Sequence, residues 1–138
     1  MQVDLSGKRA LVTGSTRGIG QAIATRLAKD GACTIVNGRT EAAVLASIQE
    51  MRRLVPDGIF KAASGDLSDS KAASDVFDKA GDVDILVNNI GIFGDKPPFE
   101  VSDEEWMDVF RVNVVTTARA IRHYGPLMRD KGWGRAVN

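Results

Sequence analysis

The stretch Thr13-Gly14-Ser15-Thr16-Arg17-Gly18-Ile19-Gly20 decides the fold of this 138-residue chain. It follows a short apolar run, residues 9–13, that is typical of a strand. After it, Ile19, Ile23 and Leu27 recur every four residues with small alanines at 22, 24 and 28 beside them, which predicts a helix buried on one side. The stretch is therefore a glycine-rich turn between a strand and a helix.

The three glycines of this turn have distinct expected roles. Gly14 permits the sharp turn off the strand, Gly18 lets backbone amides approach a pyrophosphate, and Gly20 lets the helix pack closely on the sheet. The helix N-terminus offers free N–H groups and a positive dipole end to an anion. A tight turn without any ligand is the alternative, but the strand–turn–helix context favours nucleotide binding. The spacing differs from G-x-G-x-x-G, and no Gly-Lys-Ser/Thr follows, which argues against a P-loop.

Further strands and helices alternate along the rest of the chain. Strands are predicted at residues 33–36, 59–64, 83–87 and 135–138. Thr40 and either Ser68 or Ser70 are expected to cap two helices, and Ser102 with Glu105 forms a capping box for a long one that ends near Met128. The stripe expected along this long helix is Trp106, Phe110, Asn113, Thr117, Ile121 and Tyr124.

This alternation predicts an α/β fold, a doubly wound (Rossmann-like) parallel sheet that is incomplete, with about five strands in the order 3-2-1-4-5. We expect one partial dinucleotide-binding domain over residues 1–138. The second half of such a sheet lacks elements after residue 138, so we expect the chain to be a fragment.

Composition excludes several classes of function. Lys+Arg and Asp+Glu both number 18 and aromatic residues make up 6%, so nothing suggests a nucleic-acid partner. Cys33 is the only cysteine, which excludes an internal disulfide, and no Cys/His cluster has zinc spacing, so no metal is expected. No apolar run approaches a membrane span and the N-terminus lacks a signal-peptide block, so we expect no membrane partner and a cytoplasmic location.

Four motifs, in order, resemble those of the short-chain dehydrogenase/reductase family. The glycine turn resembles T-G-x-x-x-G-x-G, Asp66-Leu67 resembles the acidic pair after the third strand, and Asn88-Asn89-Ile90-Gly91 resembles N-N-A-G, with Ile90 where Ala is usual. Val112-Asn113-Val114 resembles the helix asparagine motif. The resemblance spans the chain but only the N-terminal part of the family's fold. It implies an oxidoreductase that transfers hydride between a nicotinamide and a carbonyl or alcohol.

The resemblance also implies residue roles. Asp66 would bind the adenine amino group, and Asn113, the implied catalytic residue, would bend its helix and hold a water in a proton relay. By their residues alone, Asp66 could instead cap a helix and Asn88-Asn89 could be turn residues. Asn113 lies on an apolar stripe, so its amide needs a partner. The implied cofactor-binding residues are Gly14, Ser15, Thr16, Arg17, Gly18, Ile19, Gly20, Arg39, Asp66, Leu67, Asn88, Asn89, Ile90 and Gly91.

The residues after the second strand predict the cofactor. Proteins that bind NAD place Asp or Glu about 20 residues past the glycine turn, where it accepts from the ribose 2′-hydroxyl. Here that segment reads Val36-Asn37-Gly38-Arg39-Thr40 and holds no acid. A guanidinium pairs well with a 2′-phosphate. We therefore expect Arg39 and Arg17 to favour NADP, the alternative being that both are solvated surface charges.

The family's catalytic Ser, Tyr and Lys would follow the fifth strand and do not occur here. Tyr124 is no substitute, because residue 128 is Met rather than Lys; it should pack or reach solvent along a helix face. We thus expect the chain to be inactive alone, its carbonyl or alcohol substrate belonging to a full-length form. Exposed apolar groups of the long helix predict a homo-oligomer. A nucleotide-binding or assembly module without chemistry, or an inert fragment, are the alternatives.

Overall fold

The computed structural model describes residues 3–138 and contains one parallel sheet with helices on both faces. Its strands run in the order β3-β2-β1-β4-β5, which confirms the predicted fold class and strand order. Residues 1 and 2 of the predicted domain lie outside the described residues. The strands are β1 (Arg9–Val12), β2 (Cys33–Val36), β3 (Phe60–Ala62), β4 (Ile85–Val87) and β5 (Arg135–Val137). The helices are α1 (Gly18–Lys29), α2 (Glu41–Leu54), α3 (Ser70–Ala80), α4 (Asp103–Phe110) and α5 (Thr116–Lys131).

The sheet separates two hydrophobic cores. Strand side chains alternate between the faces, so Leu11, Ile35 and Leu86 pack with α3 and α5 on one side. Val12 and Val36 pack with α1 and α2 on the other. Burial on both faces explains why the central strands are continuous apolar runs rather than alternating ones.

Helix α1 packs on the sheet as predicted, but its small residues are buried more deeply than its large ones. Gly20, Ala24 and Ala28 are its buried residues, Ile23 and Leu27 are half-buried against the same core, and Ile19 is 75% exposed. The small side chains let the helix axis approach the strands closely, and the larger side chains are displaced to the flanks of the contact.

The helix caps agree with the sequence except at α3. The Thr40 hydroxyl accepts a hydrogen bond from the Ala43 amide at the start of α2, and the predicted capping box of Ser102 and Glu105 is present on α4. The cap of α3 is Asp69, not Ser68 or Ser70. Asp69 is the cap because its carboxylate accepts a hydrogen bond from the amide of Ala72, the third residue of the helix, with an O···N distance of 2.8 Å.

A π-helical turn interrupts the long helix and breaks its predicted stripe. The turn spans Arg111–Val115 and separates α4 from α5. No residue of α4 is buried, and Trp106 and Phe110 are more than half exposed. A stripe drawn at one constant period fails across such a turn, because the extra residue rotates all later side chains about the axis. The buried residues of α5 are Thr116, Ala120, Tyr124 and Met128, so only Tyr124 was correctly placed by the stripe.

Several element ends also differ from the prediction; strand β4, for example, starts at Ile85 rather than at residue 83. Helix α5 continues to Lys131, past Met128, and stops at Gly132, whose left-handed conformation (φ +74°) lets its amide bond the carbonyl of Arg129. Strand β3 covers only three residues of the predicted 59–64. Among residues 3–138, no helix is long and apolar enough to cross a membrane, and no group of three or more His, Cys, Asp or Glu side chains could hold a metal ion.

Asp84 joins several elements at the N-terminal edge of the sheet. Its carboxylate accepts hydrogen bonds from the Arg9 amide at 2.9 Å and from Lys131 Nζ at 3.0 Å. The Arg9 guanidinium in turn donates to the carbonyl of Ala80, the last residue of α3. Burial by itself would raise the pKa of the Asp84 carboxyl, but the Arg9 amide, Lys131 and the charge of Lys8 outweigh it and lower that pKa below its ordinary value.

Replacing Asp84 with Asn should destabilise the fold at neutral pH. Because the folded-state pKa is depressed, the stabilising contribution is present above the unfolded value of about 3.9 and is lost as pH falls through the folded value. We expect Asp84→Asn to lower the free energy of unfolding by about 1–2 kcal/mol at pH 7 and by much less at pH 3, measured by urea denaturation. Asp82→Asn, at an exposed side chain, is the matched control. An equal loss at both pH values would contradict this assignment.

Candidate functional site

A cleft of about 550 Å³ lies at the C-terminal ends of the strands, between the turns that follow β1, β2, β3 and β4. This is the edge at which open α/β sheets bind ligands. A larger, shallower depression beside the end of α1 is lined by exposed groups such as Val3 and Lys29 and has no convergent loops. The cleft residues are Gly14, Thr16, Arg17, Gly18, Ile19, Gly20, Asn37, Gly38, Arg39, Gly65, Asp66, Leu67, Ser68, Asn89, Ile90, Gly91, Ile92 and Val112.

Nearly all residues expected to bind a cofactor line this cleft. The exceptions are Ser15, which is buried beneath the turn, and Asn88, whose side chain donates to Asn138 instead. Sequence reasoning missed six lining residues, and most of them lie next to a predicted one in the chain. They are Asn37, Gly38, Gly65, Ser68, Ile92 and Val112.

Two glycines of the turn are required by geometry. Gly14 and Gly18 have φ of +59° and +58°, a conformation that other residues rarely adopt. No atom lies within 4 Å of the position that a Cβ at Gly18 would take, so this side of the turn is open to a ligand. A Cβ at Gly20, the third residue of α1, would overlap Asn89 Nδ2 and the Gly14 carbonyl oxygen, so close packing keeps a larger residue out of that position.

The N-terminus of α1 has no side-chain cap. Its N-cap residue, Arg17, makes no capping hydrogen bond, and no acidic residue occurs in the first turn. By contrast, α2, α3 and α4 are each capped by a side chain. The uncapped end, with its free N–H groups and the positive end of the helix dipole, faces the cleft. The arrangement suits an anion such as a pyrophosphate.

Asn89 ties the loop after β4 to the glycine turn. Its side-chain nitrogen donates to the carbonyls of Thr13 and Gly14 at 3.1 and 3.0 Å. The Thr13 hydroxyl accepts from the amides of Asn89 and Ile90 at 2.9 and 3.2 Å. Asn89 is therefore more than a turn residue, because it sets the distance between two walls of the cleft.

Asn37 connects three of the loops from a fully buried position at the end of β2. Its side-chain oxygen accepts from the Gly14 amide at 3.1 Å, and its side-chain nitrogen donates to the carbonyls of Ala63 and Gly65 at 2.9 and 3.3 Å. Ser15 lies beside it, and the Ser15 hydroxyl accepts from the Asn37 amide and donates to the Val12 carbonyl. Ser15 and Asn37 thus shape the cleft from below. Nothing but its place at a strand end distinguished Asn37 in the sequence.

Asp66 does not cap α3. Its Oδ1 accepts hydrogen bonds from the Ser68 amide at 2.9 Å and the Ser68 hydroxyl at 2.7 Å, which closes a local turn, while Asp69 caps the helix. These bonds to Ser68, chiefly the hydroxyl one, lower the pKa of the Asp66 carboxyl, and the nearby charge of Arg39 adds to the effect. Asp66 is therefore an exposed, ionised acceptor at the rim of the cleft.

Asn113 has the partner that its position on the helix demanded. Its Oδ1 accepts from the Ile92 amide at 2.7 Å and its Nδ2 donates to the Ile92 carbonyl at 2.8 Å. Asn113 lies within the π-helical turn, and its own carbonyl accepts from the Thr117 hydroxyl at 3.1 Å. The side chain fastens the loop after β4 to the long helix.

Tyr124 is a core residue and does not line the cleft. It is fully buried, its ring packs against Phe77 and His123, and its hydroxyl has no hydrogen-bond partner among the described residues. Of the two alternatives for Tyr124, packing is correct and reaching solvent is wrong. Burial also raises the pKa of the Tyr124 hydroxyl, which makes it a poorer acid at neutral pH.

Replacing Asn37 with Asp should destabilise the protein although the two side chains have the same shape. The carboxylate could still accept from the Gly14 amide, but its second oxygen would face the carbonyls of Ala63 and Gly65. We expect Asn37→Asp to lose about 3 kcal/mol or more of unfolding free energy at pH 7, since a buried charge faces acceptors. Urea denaturation measures this, with the exposed Asn138→Asp as control, since an aspartate there can still accept from Asn88; equal losses in the two variants would argue against the assignment.

Comparisons with known proteins show which family the chain is similar to. Residues 8–138 match the sequence model of the short chain dehydrogenase family. The chain is 42% identical over 137 residues to the uncharacterized oxidoreductase YvaG of Bacillus subtilis strain 168, covering 99% of this chain and 52% of that protein. It is 36% identical over 141 residues to the 3-oxoacyl-[acyl-carrier-protein] reductase FabG of Aquifex aeolicus, covering 100% and 57%. The chain thus spans about half the length of the curated relatives it matches.

Solved structures of reductases have the same fold as this chain. The crystal structure of a 3-oxoacyl (acyl-carrier-protein) reductase from Agrobacterium tumefaciens C58 with NADP bound has a TM-score of 0.87 and 33% identity, covering 96% of this chain and 52% of that one. L-sorbose reductase from Gluconobacter frateurii, complexed with NADPH and L-sorbose, has a TM-score of 0.88 and 29% identity, covering 99% and 53%. With its glycine turn, cleft and motifs in order, the chain belongs to the short-chain dehydrogenase/reductase family of oxidoreductases.

Proposed function

We propose that this chain binds NADP(H) in the cleft and is the cofactor-binding part of an oxidoreductase that acts on a small carbonyl or alcohol. The observation that carries this proposal is the uncapped N-terminus of α1, which opens into the cleft beside Gly18. Structural relatives with NADP or NADPH bound support it. The bound nicotinamide would supply the hydride chemistry.

The pyrophosphate would lie against the amides at the start of α1. The left-handed glycines keep that surface free of side chains, and no acidic residue opposes an anion in the first turn of the helix. Asp66, held as an ionised acceptor by Ser68, would accept from the adenine amino group at the far wall. Asn89 and Asn37 would hold the walls at the required separation.

The preference for NADP over NAD rests on a side pocket of about 450 Å³ that adjoins the cleft. Arg17, Arg39 and Thr40 line it, and no acidic residue follows β2 directly. Two guanidinium groups can share a 2′-phosphate through charge-assisted bonds. Glu50 also lines the pocket, where its carboxylate accepts from Gln21 Nε2 at 2.8 Å and stays charged, so the two guanidinium groups must outweigh one carboxylate.

These 138 residues would not transfer hydride on their own. The chain's single tyrosine, Tyr124, is buried and has Met128 rather than Lys four residues later, so no residue here can donate a proton as the family's tyrosine does. We propose that Asn113 belongs to the proton relay of the full-length form, where its bonds to Ile92 would hold the relay in place.

An assembly role without chemistry is the second candidate. It is favoured by Phe93 and Phe99, which are 93% and 97% exposed, since such groups commonly bind other proteins. The homo-oligomeric state and the cytoplasmic location stay predictions. Dinucleotide binding and turnover, measured separately, distinguish a cofactor-binding part from an assembly module.

Binding of NADPH should exceed binding of NADH by at least about tenfold, because only NADPH carries the phosphate for the side pocket. Arg39→Ala should raise the dissociation constant for NADPH about 10- to 100-fold and leave that for NADH nearly unchanged. Fluorescence titration measures both, with Arg53→Ala, on the exposed face of α2, as the control. Equal or tighter binding of NADH to the unaltered chain would overturn the assignment.

Turnover should be absent even when NADPH binds. The chain, shown by intact mass to end at Asn138, should give no oxidation of NADPH above background with small ketones or 3-oxoacyl substrates, while Aquifex aeolicus FabG serves as the positive control. A rate within about a hundredfold of that control would contradict our proposal that the chain is not catalytic alone, since losing the proton donor costs about 10²–10⁴-fold.

A further inference from the structure

Gly38 is a glycine that its backbone conformation does not require. It is not among the glycines with positive φ, so it does not have the left-handed conformation that favours glycine. It is buried directly after Asn37, and its carbonyl accepts from the Gly65 amide at 2.9 Å. Something other than chain conformation therefore keeps a side chain out of this position.

The obstacle is the side chain of Thr16, in the glycine turn. A Cβ at position 38 would overlap the Thr16 methyl group, although it would stand at an ordinary 3.5 Å from Thr16 Cβ. On the opposite side, Val44 Cγ2 would lie 3.2 Å away, and Val44 is fully buried and cannot retreat far. The methyl group of Thr16 thus occupies the space that a residue at position 38 would need.

Position 38 matters because it lines the cleft next to Arg39, about 20 residues past the glycine turn. An acid there would accept from a ribose 2′-hydroxyl and repel a 2′-phosphate. Thr16 lines both the cleft and the arginine side pocket, so it stands at the boundary between the two.

We propose that Thr16 is a specificity-determining residue of the cleft: its side chain excludes an acidic residue from position 38 and so reserves the pocket of Arg17 and Arg39 for an adenosine ribose that carries a 2′-phosphate. The inference rests on the proposed NADP binding. It adds a steric reason for the preference for NADP to the electrostatic one that the two arginines supply. The residue responsible lies on the glycine turn itself.

The test places an aspartate at position 38, once with the Thr16 side chain intact and once with it shortened to alanine. Gly38→Asp alone should weaken NADPH binding at least about tenfold and bring no gain for NADH, because the carboxylate cannot take its place beside Thr16. Thr16→Ala with Gly38→Asp should bind NADH at least about tenfold more tightly than Gly38→Asp alone. Thr25→Ala with Gly38→Asp is the matched control, since Thr25 lies on α1 outside the cleft and should give no such gain.

A second series measures the contact without any dinucleotide. Gly38→Ala should lower the melting temperature, and adding Thr16→Ser, which removes only the methyl group, should restore most of that loss. The two series together keep the proposal testable if the aspartate variants fold poorly.

Three results would overturn the inference. One is a gain of NADH binding by Gly38→Asp alone that equals the gain of the double variant, and another is a Gly38→Ala loss that Thr16→Ser does not reduce. The third is failure of the unaltered chain to bind either dinucleotide, which removes the proposed function and this inference with it. Either of the first two results, obtained while the unaltered chain binds NADPH tightly, would overturn the inference and leave the proposed function standing.

Discussion

The buried side-chain amide of Asn37 holds together the loops that form the cleft. Asn37 accepts from the turn after β1 and donates to the loop after β3, and its backbone bonds the hydroxyl of Ser15 beneath the turn. A loop in water would lose its orientation to competing solvent, but these bonds lie inside the protein, where each unsatisfied group is costly. The glycine turn therefore has one position relative to its neighbours, and the uncapped end of α1 points where a ligand can use it.

The sequence was informative where one residue type has one local use. Glycine at Gly14 and Gly18 meant positive φ, and Ser102 with Glu105 meant a capping box; both signals act over a few residues and need no tertiary information. These two features can be predicted because the interactions that cause them lie within the same short segment. The order of the strands followed instead from the alternation of strand and helix patterns along the chain, which is typical of a doubly wound sheet.

Other features depend on contacts between distant segments, and these escaped prediction. The π-helical turn at Asn113 accompanies a bond to Ile92, which lies 21 residues earlier in the chain. The exposure of Ile19 on α1 was not predicted, because periodicity records which residues are apolar and not how far each one lies from the sheet. Asn37 and Ser15 look like ordinary strand-end polar residues until the three loops are brought together.

The close packing of α1 on the sheet has a consequence for how this fold can change in evolution. A helix face built from Gly20, Ala24 and Ala28 leaves little room for larger residues, so we expect changes in the turn, the helix and the central strand to be accepted only together. The loop over residues 91–100 is exposed throughout, and after Ile92, which Asn113 binds, its residues meet no such close packing. Lineages built on this scaffold can thus diversify at that loop while the turn, the helix and the strand are passed on together.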